Sequence, residues 1–122
     1  MDIRATSMKE RELQDNVIEC ARFMGYTLIY HTHNSRHSPS GFPDLVLIRP
    51  QSPFDWRCIY IELKSEKGNL TKWDPKQPNK TSQEEWIEGL EACGQEVYVF
   101  RPSDWLSGHV ETVLASTGRG MN

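Results

Sequence analysis

The chain has 122 residues, of which 37% are hydrophobic and 25% charged, and its formal net charge at pH 7 is −3. This composition predicts one globular domain over residues 1–122, with its core at about 8–114 and a flexible tail at 115–122. Apolar runs are too short to cross a bilayer and the first residues do not resemble a signal peptide, so we expect a cytoplasmic protein without a membrane partner.

The first predicted element is a helix over residues 8–25, ended by Gly25. The apolar residues that recur at three- and four-residue steps are Leu13, Val17, Cys20, Ala21 and Met24. At about 100° per residue, Glu10 and Gln14 fall on the same apolar face, whereas Glu12 points to the opposite side. Glu10 is therefore the acidic residue of this helix that we expect to point inward.

Three predicted strands follow this helix. The first covers residues 27–33 and leads into a polar loop over 34–40. Residues 44–49 have the apolar character of a buried strand, and 57–64 form the next one. Because only the turn at 50–55 joins these two strands, we expect them to pair in antiparallel orientation.

Residues 66–80 contain two prolines and no clear period, which predicts an extended loop. A second helix begins after Thr81 or Ser82, because each of them is followed three residues later by a glutamate, the capping-box pattern. Gly94 ends this helix, and its predicted apolar stripe is Trp86, Ile87, Leu90 and Cys93. A last strand over 96–101 and short helical segments over 103–114 complete the chain. The cysteines are odd in number and widely separated, which favours reduced core thiols over disulfides: Cys20, Cys58 and Cys93.

Two acidic residues lie at the edges of apolar runs, where a charge costs free energy unless it is compensated. Asp44 follows Pro43, and Glu62 lies near the end of the strand over 57–64. Strand side chains alternate, so Glu62 and Lys64 share one face while Leu63 points into the core. Two carboxylates and an amine at one place suit a hard cation and the metal-assisted hydrolysis of a phosphodiester.

These motifs, taken in their order, resemble the signature of the PD-(D/E)xK nuclease superfamily and, within it, the compact stand-alone VRR-NUC family of phages and bacteria. The segments that carry the resemblance are the helix with Glu10 and Gln14, residues 31–36, Gly41–Leu45, Glu62–Lys64, Gln83 with Trp86, and Val97–Pro102. The resemblance extends over about residues 10–113. It implies an α/β, restriction-endonuclease-like core in which helices flank a mixed sheet of about four strands, in the order α-β-β-β-α-β.

The resemblance also implies a Mg²⁺ or Mn²⁺ site. Asp44, Glu62 and the backbone carbonyl of Leu63 would bind the metal, and Glu10 would reach it directly or through water. Lys64 would orient or deprotonate the attacking water, or stabilise the phosphate, and the sequence leaves these roles open. The predicted catalytic set is Glu10, Asp44, Glu62, Lys64 and Gln83, the last as a supporting residue.

The leading hypothesis is a metal-dependent DNA endonuclease that selects branched DNA, such as a Holliday junction or a flap, and acts as a homodimer. The residues expected to contact DNA are His31, His33, Asn34, Arg36, Lys72 and Trp73. The alternatives are a restriction-type endonuclease on linear DNA and a DNA-binding module that keeps the fold without turnover. A zinc site at His31, His33 and His37 is disfavoured, because no Cys-x-x-Cys or His-x-x-x-His pair completes a tetrahedral set.

The net negative charge argues mildly against a nucleic-acid partner, because such proteins usually carry a basic surface. The basic residues are, however, unevenly distributed along the chain. The lysines that follow the predicted metal motif are Lys64, Lys67, Lys72, Lys76 and Lys80. A locally positive surface is therefore compatible with an acidic chain.

Overall fold

The computed structural model describes residues 3–32 and 39–117. Its elements are α1 (Ile3–Ser7), α2 (Glu10–Phe23), β1 (Leu28–His31), β2 (Leu45–Ser52), β3 (Asp55–Leu63), α3 (Gln83–Ala92), β4 (Glu96–Phe100), α4 (Pro102–Leu106) and α5 (His109–Ala115). The predicted order of the main elements is confirmed. Helix α1 was not expected, and β2 continues two residues past Pro50 through a bulge, where we predicted a turn.

The four strands form one mixed sheet in the order β1-β2-β3-β4. Strands β1, β2 and β3 pair in antiparallel orientation, and β4 joins β3 in parallel orientation. This arrangement confirms the α/β class and the antiparallel neighbours that the short turn predicted. The parallel last pair requires a crossover, which the loop after β3 and helix α3 provide.

One face of the sheet packs on α2 and α5 to form the core. Leu45 and Leu47 of β2 and Ile59 and Ile61 of β3 are fully buried there, at every second position of each strand. Helix α2 contributes Leu13, Val17, Ile18 and Ala21, and α5 contributes Val110 and Leu114. Strand alternation therefore leaves Glu62 on the other face of β3, away from this core.

A buried arginine lies at the end of β3 opposite Glu62. Arg57 is 4% exposed and forms an ion pair with Glu96 at 2.8 Å. It also donates to the Tyr26 hydroxyl at 2.9 Å and to the carbonyl oxygens of Val113 and Ser116, each at 2.9 Å. These contacts fasten the end of α5 to the sheet, a structural role that sequence patterning did not indicate.

Two expectations about side-chain burial need correction. The described cysteines are all free, as predicted, but Cys93 is exposed and does not belong to the core. The apolar stripe of α3 likewise has no fully buried residue; Trp86 and Leu90 are only partly covered.

No helix within residues 3–32 and 39–117 has the length and apolar character to span a membrane. The last five residues of the predicted flexible tail, 118–122, lie outside the described residues.

Candidate active site

Strand register brings Asp44 and Glu62 together. Leu45 at the start of β2 pairs with Ile61 of β3, so the residue before Leu45 lies opposite the residue after Ile61. Asp44 also contacts the residue after Glu62, because the backbone N–H of Leu63 donates to Asp44 Oδ2 at 2.8 Å. Asp44 is half-buried and is held at the end of the strand pair by this hydrogen bond.

Glu62 is almost completely buried, with only 2% of its surface exposed. Its Oε1 accepts a hydrogen bond from Gln83, while no hydrogen-bond donor of the described residues faces the buried Oε2. Burial is the main cause that raises the pKa of Glu62 to about 10, and the neighbouring Asp44 carboxylate adds to it. Lys64 lowers this pKa and Glu10 raises it by smaller amounts. The metal-free chain therefore keeps a proton on Glu62 at neutral pH.

Gln83 joins Glu62 to Lys64. Its side-chain N–H group donates to Glu62 Oε1 at 3.3 Å, and its Oε1 accepts from the Lys64 ammonium group at 3.2 Å. The same oxygen accepts the backbone N–H of Thr71 at 3.0 Å. Two donors at Oε1 fix the orientation of the amide, so its N–H group must point at the carboxylate. The predicted supporting role of Gln83 thus has a specific geometry, in which one side chain contacts both charged partners.

Thr71 holds the helix that carries Gln83. Its Oγ1 accepts the backbone N–H of Gln83 at 2.9 Å, and its carbonyl oxygen accepts that of Glu84 at 3.1 Å. These N–H groups belong to the first turn of α3 and have no partner within the helix. Ser82 caps the same helix in a capping box with Glu85, as the sequence predicted. Thr71 was not anticipated, because its role depends on the loop folding back onto α3.

Gly41 lets the loop before Asp44 approach α3 closely. Its φ is +83°, and a Cβ at this position would lie 2.4 Å from the carbonyl carbon of Ser82. Only glycine accommodates both the left-handed backbone and this contact without strain. The next residue, Phe42, packs edge-on against Trp86 with ring centroids 5.0 Å apart. The loop and α3 therefore hold Asp44 and Gln83 on either side of Glu62.

Glu10 lies across an open cavity from the carboxylate pair. This first cavity has a volume of about 740 Å³, and its lining includes Glu10, Gln14, His31, Asp44 and Leu63. Glu10 is exposed at the first position of α2, where the helix dipole also favours an acid. Glu10 and Gln14 share one face of α2 and line the same cavity as Asp44, and Glu10 is near enough to Glu62 for its charge to raise the pKa of that carboxyl group.

The carboxylate oxygens at this site suit a hard divalent cation that binds few protein ligands. Asp44 and Glu62 offer carboxylate oxygens, and the proton on Glu62 is held by burial and by its hydrogen bond with Asp44. Once that proton is lost, no donor of the described residues faces the buried Glu62 Oε2. A cation between the two carboxylates would replace the proton that Glu62 otherwise holds. Within residues 3–32 and 39–117, no group of three His, Cys, Asp or Glu side chains is close enough to bind a metal. Mg²⁺ commonly binds through one or two carboxylates and keeps several waters, which two acidic ligands satisfy.

The residues expected to contact DNA are distributed over several places. His31 lines the first cavity, and Lys72 and Trp73 lie in the exposed loop before α3, where Trp73 is 52% exposed. The remaining three predicted contacts fall outside the described residues: His33, Asn34 and Arg36. His37 of the disfavoured zinc set lies outside them as well.

The raised pKa of Glu62 predicts how stability depends on pH. In the metal-free chain, folding retains a proton that an unfolded glutamate releases above its ordinary pKa of 4.5. The free energy of unfolding is therefore expected to fall as pH rises from about 4.5 towards about 10, with a contribution of up to about 1.4 kcal/mol per pH unit. Glu62→Gln removes this contribution, because the amide does not ionise.

Urea unfolding in EDTA at pH values of about 6 and 8 measures this effect. We expect the stability of Glu62→Gln relative to the unsubstituted chain to increase between the two pH values. Equal pH slopes for the two proteins would show that Glu62 is already ionised in the folded chain.

The model of the family described as the VRR-NUC domain matches residues 3–104 of the chain. This range includes both carboxylates, Lys64, Gln83 and the loop between them. No curated protein sequence and no solved structure matches the chain.

Proposed function

Because the chain belongs to the VRR-NUC family of nucleases, we propose that it is a divalent-metal-dependent DNA endonuclease that hydrolyses phosphodiester bonds. The observation that supports this most directly is the buried Glu62 carboxyl group beside Asp44, with an oxygen that lacks a donor among the described residues. A carboxyl group in this environment is destabilised when charged, and a bound cation removes the penalty.

Asp44 and Glu62 are the proposed metal ligands for Mg²⁺ or Mn²⁺, together with the backbone carbonyl of Leu63. Glu10, which faces the same cavity as Asp44, is proposed to act through a water molecule. When bound, the metal lowers the pKa of a coordinated water and offsets negative charge on the phosphate, which is worth several kcal/mol of barrier.

Lys64 is the proposed electrostatic partner of the phosphate. Its ammonium group donates to Gln83 at 3.2 Å and is half-buried, so hydrogens remain available for a phosphate oxygen. Gln83 restrains both Lys64 and Glu62, which limits the reorganisation needed when substrate binds. Fixing the lysine with a neutral amide leaves its charge undiminished, whereas a carboxylate partner would neutralise it.

Branched DNA, such as a Holliday junction or a flap, is the proposed substrate, and a homodimer is the proposed working form. The charge on helix α3 supports selection by DNA structure rather than by base sequence. Helix α3 carries four acidic residues and no basic one: Glu84, Glu85, Glu88 and Glu91. A helix with this charge is repelled by phosphates and is unsuited to the major groove. His31, Lys72 and Trp73 remain proposed DNA contacts, and acting on DNA is consistent with a cytoplasmic location.

A cleavage assay on a panel of DNA structures tests this proposal. Purified protein is incubated with linear duplex, flap and four-way DNA in Mg²⁺, in Mn²⁺ and in EDTA. We expect cleavage in either metal and none in EDTA, with branched DNA cut faster than linear duplex. Faster cleavage of linear duplex would favour the restriction-type alternative, and binding without cleavage in both metals would favour a DNA-binding module.

A further inference from the structure

The proposed site has a different cavity at each end. Asp44 lines the first cavity, described above, and Gln83 lines a second one of about 340 Å³. Among the described residues that line the first cavity, the charged ones are Glu10, Arg11, Asp15, Glu19, Arg22 and Asp44, in addition to His31. Among those that line the second, the charged ones are Lys72, Lys80 and Asp74. The acidic cavity therefore suits cations, whereas the second cavity suits a polyanion.

The second cavity is bordered by residues 72–80, which we call the lysine loop. All nine residues are exposed, yet the loop is internally hydrogen-bonded. The backbone N–H of Gln77 donates to the carbonyl of Asp74, and that of Lys80 donates to the carbonyl of Gln77, each at 3.0 Å. The Trp73 indole N–H donates to the carbonyl of Pro78 at 3.4 Å. These bonds give the loop a defined shape although it packs on little else.

Both ends of the lysine loop are fastened beside Gln83. Thr71 precedes the loop and holds the first turn of α3 through the bonds described above. Thr81 follows it, donating to the carbonyl of Ser40 and accepting from the Trp86 indole N–H at 3.1 Å. The lysines of the loop are thus held at a fixed place relative to Gln83 and hence to the proposed metal ligands.

The lysines of the loop are available to a ligand. The ion pair that Lys72 forms with Glu84, within the part of the chain that the structure describes, is long, at 3.9 Å, and its lysine side chain is 78% exposed. Such a pair contributes little free energy and is readily exchanged for a phosphate contact. Trp73 has its N–H group engaged by the loop itself, while its ring is half-exposed beside Lys72. An exposed aromatic ring next to lysines is the combination that binds unpaired bases and their phosphates.

We propose that the DNA strand adjoining the cleaved phosphate passes through the second cavity as a single strand. Lys72 and Lys80, which line this cavity, contact its phosphates, and Trp73, which follows Lys72 in the loop but does not line the cavity, stacks on a base where the strand leaves it. This inference rests on the proposed nuclease function and adds the path that the DNA strand takes away from the proposed metal ligands. The strand enters over Gln83 and continues along the lysine loop, not through the acidic cavity beside Glu10. The loop is accordingly a determinant of preference for DNA with unpaired segments.

Binding to oligo-dT in EDTA, where no cleavage occurs, tests the strand path. Fluorescence anisotropy of a labelled strand is measured over a range of salt concentrations for the full chain and for Lys72→Gln/Lys80→Gln. Each phosphate contact on a single strand contributes about 0.7 to the slope of log affinity against log salt, so we expect the slope to become shallower by about 1.4. Affinity at about 0.1 M salt is expected to fall by at least about tenfold.

Lys76→Gln is the matched control. Lys76 belongs to the same exposed loop and carries the same charge, but it does not line the second cavity. We expect this variant to leave the slope almost unchanged, and Lys72→Arg/Lys80→Arg to retain it because the charges remain. Since the substituted side chains are exposed, all variants should melt at the temperature of the parent chain.

Three results would overturn the strand path. They are a change of slope in Lys76→Gln at least half as large as that in the double Lys→Gln variant, an unchanged slope in the double variant, and the absence of oligo-dT binding at low salt. The nuclease proposal is judged separately, by metal-dependent cleavage. An unchanged slope together with Asp44-dependent cleavage rejects the path alone, whereas a reduced slope without any cleavage rejects the enzyme alone.

Discussion

Asp44→Asn and Glu62→Gln are each expected to lower metal-dependent DNA cleavage by at least about a thousandfold, which corresponds to about 4 kcal/mol of barrier. Each change keeps the size of the side chain but removes a carboxylate from a pair. The lost charge weakens metal binding and leaves less compensation for charge on the phosphate. Single-turnover cleavage rates at saturating metal, measured with the DNA structure that the parent chain cuts fastest, give the comparison.

Glu12→Gln is the control for these variants. Glu12 is an exposed acid of α2 that does not line the first cavity, so the same chemical change there should leave cleavage unaffected. Glu62→Gln should also fold at least as stably as the parent chain in EDTA near neutral pH, because it removes a buried group that resists ionisation. Residual cleavage within tenfold of the parent in both site variants would contradict the assignment of this carboxylate pair.

Gly41→Ala is expected to destabilise the chain by roughly 2–4 kcal/mol and to reduce cleavage at the same time. The added methyl group meets the backbone of Ser82 and Gln83 at 2.4–2.7 Å, and φ is +83°. Relief requires the loop before Asp44 to move away from the start of α3. Such a movement separates Asp44 from Gln83 and disturbs Glu62 between them. Chemical unfolding and cleavage rates of the folded variant measure the two effects.

Gly94→Ala separates backbone strain from the close contact. Gly94 has a φ of +82°, almost the value at Gly41, but a Cβ there would meet no atom within 4 Å. We expect only the cost of the left-handed backbone, about 1 kcal/mol, and an unchanged cleavage rate. Equal destabilisation in the two variants would mean that the approach of the loop to α3 is not as tight as described.

Local patterns in the sequence were sufficient for most of the fold. Two apolar runs, in β2 and β3, and the short turn between them predicted an antiparallel pair, and that pair places Asp44 opposite Glu62. Side-chain alternation likewise placed Glu62 and Leu63 on opposite faces. These predictions succeeded because period, turn length and strand pairing are properties of neighbouring residues. The capping box at Ser82 is equally local and was confirmed.

Helical periodicity was less informative about burial. It placed Cys93 on an apolar stripe of α3, but that residue is exposed and the helix has no fully buried side chain. It also gave Glu10 an inward face, whereas the structure leaves Glu10 exposed across a cavity. The periodicity of apolar residues identifies which side chains share one face of a helix. It does not show how closely another element of the fold covers that face.

Sequence patterns were enough to select the residues that resemble the VRR-NUC signature, and to assign them to two strands and a helix. They did not show that Gln83 contacts both Glu62 and Lys64, that Thr71 restrains it, or that Glu62 is buried deeply enough to raise its pKa to about 10. These contacts join residues that are far apart along the chain. Contacts made across the long loop after β3 depend on how that loop closes, and a local pattern does not encode this closure.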